Sequence, residues 1–109
     1  MKHNEIPPGS LTLLILRTLA RHGTLHGYEI AESILRASDN VLEVEEGSLY
    51  PALQKMLVNN WVKAEWGVTK GNRRARYYQL TAAGRKQLAA ESSNFERVYS
   101  AITRVLQTA

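Results

Sequence analysis

Apolar residues recur along this chain with a helical period, then with an extended one, then with a helical one again. Pro7-Pro8-Gly9 blocks a helix, Ser10 can cap one, and Gly23 closes the run that lies between them. In that first predicted helix, Leu11, Leu13, Leu14, Ile15, Leu16, Leu19 and Ala20 cover more than one side. A helix apolar most of the way round is buried on more than one side, and in a small domain the extra side suits a partner subunit. Thr24-Leu25-His26-Gly27-Tyr28 opens a second helix running to about Ala37. Tyr28, Ala31, Ile34 and Leu35 are expected to form its buried stripe, with Glu29, Glu32 and Arg36 facing out. Ser38-Asp39-Asn40 ends it, and Val41-Leu42-Glu43-Val44 alternates weakly, as a short strand would.

Residues 47–57 predict a third helix, because Leu49, Leu53, Met56 and Leu57 fall at i, i+4, i+7 and i+8. Ser48 is a good cap, but a start near Glu45 is also compatible and would place Pro51 inside the helix. After Asn59-Asn60 the period changes to two. Val62, Ala64, Trp66 and Val68 alternate with Lys63, Glu65, Gly67 and Thr69. Lys70-Gly71-Asn72 signals a hairpin turn, and residues 75–80 form the return strand, with Trp61 and Trp66 expected to pack beneath the wing. Thr81 begins a last helix that reaches Gln107, about 40 Å long at 1.5 Å per residue. Its second half carries Phe95, Val98, Tyr99, Ile102, Val105 and Leu106 at spacings suited to the seam of a helix pair.

Composition changes this picture in three ways. At 109 residues the chain has room for one domain with one core, and 44% hydrophobic against 22% charged residues suits a folded protein. A formal net charge of +4 favours an anionic partner. The absence of Cys excludes disulfides and thiolate metal sites and fits a reducing cytoplasm, and no apolar run is long enough for a membrane span or a signal peptide core.

The candidate chemistry lies in two places. The third helix presents Ser48, Tyr50, Gln54 and Lys55: a hydroxyl, a phenol, an amide and one cation. That mix suits phosphates and base edges better than plain solvation does. The hairpin carries Lys70, Arg73, Arg74 and Arg76 within seven residues and no acid, which favours phosphate or minor-groove contact. Glu43, Glu45 and Glu46 would repel phosphates and are expected to point away from nucleic acid, while in a first turn they favour the helix dipole. His26, at a helix start, reads as a cap or packing residue rather than a ligand. The order helix, helix, short strand, helix, basic wing makes the fold class mainly α with a small β-hairpin: a winged helix-turn-helix plus a C-terminal dimerisation helix. It divides as a flexible tail over residues 1–9, a DNA-binding domain over 10–81 and a dimerisation helix over 82–109.

At the level of motifs the chain resembles PadR-like transcriptional regulators. The matching pieces are Leu25-His26-Gly27-Tyr28-Glu29-Ile30, Gly47-Ser48-Leu49-Tyr50-Pro51-Ala52-Leu53, Trp66, and Arg76-Tyr77-Tyr78-Gln79-Leu80-Thr81-Ala82-Ala83-Gly84. The resemblance implies a homodimeric DNA-binding repressor that dimerises through its last helix. It places DNA-contacting roles on Ser48, Tyr50 and Lys55 and on the wing residues Arg73 and Arg74. The expected dimer interface combines Leu13 and Leu16 of the first helix with Phe95, Val98, Tyr99, Ile102, Val105 and Leu106. Where the family commonly has Glu-x-x-Gly-Leu-Ile after the third helix, this chain has Val58-Asn59-Asn60-Trp61-Val62; Asn60 can still take a left-handed turn. With one helix after the wing, the chain looks like the compact branch of the family, for which no separate effector domain is expected.

Double-stranded DNA and a second copy of the chain are therefore the expected partners, with no cofactor and no metal. A small aromatic effector stays open, since Phe95 and Tyr99 lie four apart on one side of the last helix. An alternative is a winged-helix module whose polar helix face meets a protein instead of DNA. Enzymatic activity is not expected: there is no Cys, no Gly-rich phosphate loop and no metal-spaced ligand set, the three His are scattered, and no base is placed beside Ser48.

Overall fold

The computed structural model describes residues 6–7 and 9–108. Most of the tail expected over residues 1–9 lies outside them; within them, half-buried Ile6 packs against the core. The elements run α1 (Leu11–His22), β1 (Leu25–His26), α2 (Gly27–Ala37), α3 (Glu46–Val58), β2 (Val62–Val68), β3 (Arg74–Leu80) and α4 (Ala82–Gln107). The strands form one antiparallel sheet in the order β1-β3-β2. This is a winged-helix fold with a long C-terminal helix.

Helix α1 occupies the middle. It packs against α2, α3, α4 and β3, and its Ile15, Leu16 and Leu19 are fully buried among Ile30, Leu49, Leu53 and Met56. The chain itself thus encloses these three, while Leu11, Leu13, Leu14 and Ala20 are half-buried at the margin of the core. Leu16, expected at a dimer interface, is 0% exposed and lies in the chain's own core; this corrects that assignment. Leu13 is half-buried against the same core. Helix α1 stops where Gly23 takes a positive φ of 83°, which glycine adopts without strain.

The second helix keeps Ile34 of the expected stripe buried and Ala31 and Leu35 half-buried, and departs from it at Tyr28. Gly27, Ile30 and Ile34 are buried, whereas Tyr28 is 69% exposed and lines an open cleft. His26 caps this helix: the Glu29 N–H donates to His26 Nδ1 at 3.4 Å, and the His26 N–H donates to the Glu29 carboxylate at 3.1 Å. Residues 41–44 contribute no strand to the sheet; the third strand is Leu25–His26, paired with Tyr78 and Tyr77 of β3. Helix α3 starts from Glu45 as its cap residue, so Ser48 lies inside the first turn and Pro51 inside the helix. Asn60 has φ 59°, the left-handed turn required after α3, and Asn72 (φ 62°) makes the hairpin turn.

Helix α4 is anchored at its start. The Thr81 N–H donates to the Trp61 carbonyl at 3.0 Å, the Thr81 hydroxyl donates to the Asn60 carbonyl at 2.6 Å, and the same hydroxyl accepts from the Gly84 N–H. Gly84 is buried, and a Cβ there would stand 2.0 Å from the Trp61 carbonyl oxygen. The first half of α4, through Leu88, closes the core; the second half leaves it, and Phe95, Val98, Tyr99, Ile102, Val105 and Leu106 are all exposed.

Candidate nucleic-acid interface

Helix α3 buries Leu49, Leu53 and Met56 and exposes the opposite face. At 3.6 residues per turn, Tyr50 and Ser48 mark the two margins of that face, with Gln54, Pro51 and Lys55 between them; all five are exposed. The α3 face carries one positive side chain, Lys55, and no acid between its margins. Glu45 and Glu46 are exposed at the start of α3, where Glu46 suits the helix dipole.

The hairpin projects beside the Tyr50 margin of this face, the two lining one cleft. Strands β2 and β3 pair Val62 with Leu80, Ala64 with Tyr78, Trp66 with Arg76 and Val68 with Arg74. All eight share one side of the sheet, since side chains alternate along a strand. The inner part of that side is buried at Val62, Tyr78 and Leu80; the outer part, at Trp66, Val68, Arg74 and Arg76, overhangs the core and is exposed. Trp66 is 61% exposed, so it does not pack beneath the wing; only Trp61 lies against the core. The Arg74 and Arg76 guanidiniums lie 4.7 and 5.8 Å from the Trp66 ring centroid. At the tip, the Thr69 N–H donates to the Arg73 carbonyl and the Thr69 hydroxyl accepts from the Arg73 N–H, which fixes the turn carrying Lys70 and Arg73.

Between α2 and the hairpin lies an open cleft of about 1450 Å³. Of the residues predicted for nucleic-acid contact, it gathers Tyr50, Lys70, Arg73, Arg74 and Arg76; Ser48, Gln54 and Lys55 are exposed outside it. Tyr28 and Trp66 also line it. Both escaped sequence reasoning, because periodicity shows which face a residue shares but not where that face runs past the core. The acids at this cleft are occupied: Glu32 pairs with Arg36, and Glu29 closes the His26 cap. Among the described residues no ion pair engages Arg73, Arg74 or Arg76. Burial raises the Tyr78 phenol above its ordinary range, and the nearby Arg76 charge partly offsets that rise. Tyr50 rests on Gly27, where a Cβ would come 2.7 Å from its phenol oxygen.

A mixed polar helix face beside a basic wing is the geometry of a winged-helix DNA reader. The profile of the transcriptional regulator PadR-like family matches residues 15–90. The chain belongs to that family. Among similar structures, a transcriptional regulator from Clostridium thermocellum is 27% identical, with 88% of this chain and 92% of that one covered and a TM-score of 0.80. A PadR family transcription regulator from Clostridium difficile is 27% identical, with 90% and 99% covered and a TM-score of 0.75. An uncharacterised protein from Lysinibacillus sphaericus is 27% identical over 89 residues, 82% of this chain and 81% of that one. The matched PadR-like region contains α2, α3 and the whole wing, and it ends before the exposed apolar residues of α4 begin at Phe95. Among the described residues of this PadR-like chain, no helix is long and apolar enough to cross a membrane.

Proposed function

We propose that this PadR-like chain acts as a homodimeric, sequence-specific transcriptional repressor. In this reading α3 enters the major groove with Ser48, Tyr50, Gln54 and Lys55, and Lys70, Arg73, Arg74 and Arg76 of the wing meet the phosphates. The observation that carries it is the wing's positive charge: three guanidiniums without an acid partner among the described residues, beside an α3 face with no acid between its margins. In this reading the dimer represses by occupying its operator. We assign the stacked rings of Phe95 and Tyr99, 5.8 Å between centroids, to the dimer seam rather than to an effector site, because they run in line with Val98, Ile102 and Val105.

The wing supplies affinity with little sequence discrimination. Arg73→Ala combined with Arg74→Ala is expected to weaken binding to all DNA and to make the log-log salt slope shallower by about one to two units, one per lost phosphate contact. Titrations at a series of salt concentrations measure this. An unchanged slope would mean that the wing tip is only solvated, and a protein-binding module would then account better for the face.

Tyr50 tests the helix. Gly27→Ala is expected to keep the parent's circular dichroism spectrum, because Tyr50 is half exposed and can swing away from the new methyl. DNA affinity should fall by about 1 kcal/mol, the worth of one hydrogen bond lost with the displaced phenol, and Tyr50→Phe should cost the same. Unaltered affinity in both variants would remove Tyr50 from the interface.

A further inference from the structure

Trp66 is the largest side chain on the overhanging part of the wing, and burial does not account for it. An indole that is 61% exposed forgoes most of the hydrophobic gain its area offers. What it does have is two guanidiniums over its ring, at 4.7 Å for Arg74 and 5.8 Å for Arg76. The register explains why. Trp66 is directly opposite Arg76, and Arg74 is one pair further out on the same side, opposite Val68. Both arginines are exposed, and among the described residues neither has an ion-pair partner. Glu65, next to Trp66 in sequence, falls on the other side of the strand.

We propose that Trp66 is a positioning residue: its indole orders Arg74 and Arg76 in the cleft while leaving their charge free for two DNA phosphates. This role presupposes the DNA-binding reading above. A carboxylate would hold the two side chains equally well, but it would cancel their charge and repel the backbone. An aromatic face attracts a cation without neutralising it and leaves the guanidinium N–H edges free to form paired bonds to phosphate. Ordering two long side chains before DNA arrives removes part of the entropy cost of binding.

DNA binding by four variants, with NMR spectra of the parent and of Trp66→Leu, tests this. In the free protein, the side-chain protons of Arg74 and Arg76 should show upfield ring-current shifts by NMR, and Trp66→Leu should abolish them. Trp66→Leu, which keeps apolar bulk without a ring, should lower DNA affinity about tenfold near physiological salt, while Trp66→Phe stays within about threefold of the parent. In a background of Arg74→Ala with Arg76→Ala, Trp66→Leu should cost nothing further. Equal losses in both backgrounds would show the indole touching DNA itself and would overturn the positioning role. So would parent-like binding by Trp66→Leu, or unshifted arginine protons in the parent. A parent that binds no DNA would sink the DNA reading and this role with it, while the ring-current shifts would still show that the stack exists.

Discussion

The expected result for Ile102→Glu is a folded monomer that has lost specific DNA binding, although residue 102 lies far along α4 from the wing and α3. Ile102 is 53% exposed and absent from the chain's own core, so the substitution leaves the winged-helix domain intact. In the proposed dimer it faces a second α4 within the seam of Phe95, Val98, Ile102 and Val105. Burying such side chains contributes about 1.5 to 3 kcal/mol each, and a carboxylate among them would be left unpaired in apolar surroundings. One winged helix covers a short half-site, so separating the subunits should reduce operator affinity by at least about a hundredfold, the usual gain from linking two binding modules. Sedimentation of the variant beside the parent checks the assembly, and titration with operator checks the consequence. A parent that sediments as a monomer at micromolar concentration would show that the exposed stripe of α4 serves something other than self-association.

Gly84→Ala should have the largest effect on stability. The new methyl would stand 2.0 Å from the Trp61 carbonyl oxygen, which is backbone and already accepts the Thr81 N–H. No rotamer relieves that contact; α4 must move off the loop that carries Trp61. Overpacking costs about 1 to 3 kcal/mol where side chains can yield. Here the obstacle is main chain, so we expect the upper end, about 3 kcal/mol, and a loss of roughly 15 °C in Tm for a domain of this size. Thermal unfolding followed by circular dichroism measures it. A Tm within a few degrees of the parent would mean that the start of α4 is not clamped to the loop after α3.

Much of the fold could be read from the sequence because its periodic segments are long. Helices α1, α3 and α4 and the β2–β3 hairpin run close to where their apolar spacing places them, and α4 starts at the expected place, with Thr81 as its cap. Strand β1 escaped because two residues cannot display a period, and the weak alternation at 41–44 stood in for it. Tyr28 reads as part of a buried stripe because a helix with tyrosine at its margin looks the same whether that ring faces a core or a cleft. Trp66 follows the alternation of Val62, Ala64 and Val68 faithfully, yet its side of the sheet has already run past the core. Leu16 shows the converse: as part of the apolar surplus on α1 it suits a partner surface, yet its own chain encloses it fully. For the candidate site, residue types and their order were legible, whereas the gathering of Tyr50 with the wing arginines required the fold.

Footprinting is the measurement closest to the central claim. On a fragment that the protein itself selects from its own genome, hydroxyl-radical cleavage should reveal two protected patches related by a dyad. Their centres should lie about 34 Å apart, one turn of DNA, with two chains bound per site. A single patch occupied by one chain, or uniform protection without preference among fragments, would contradict the account.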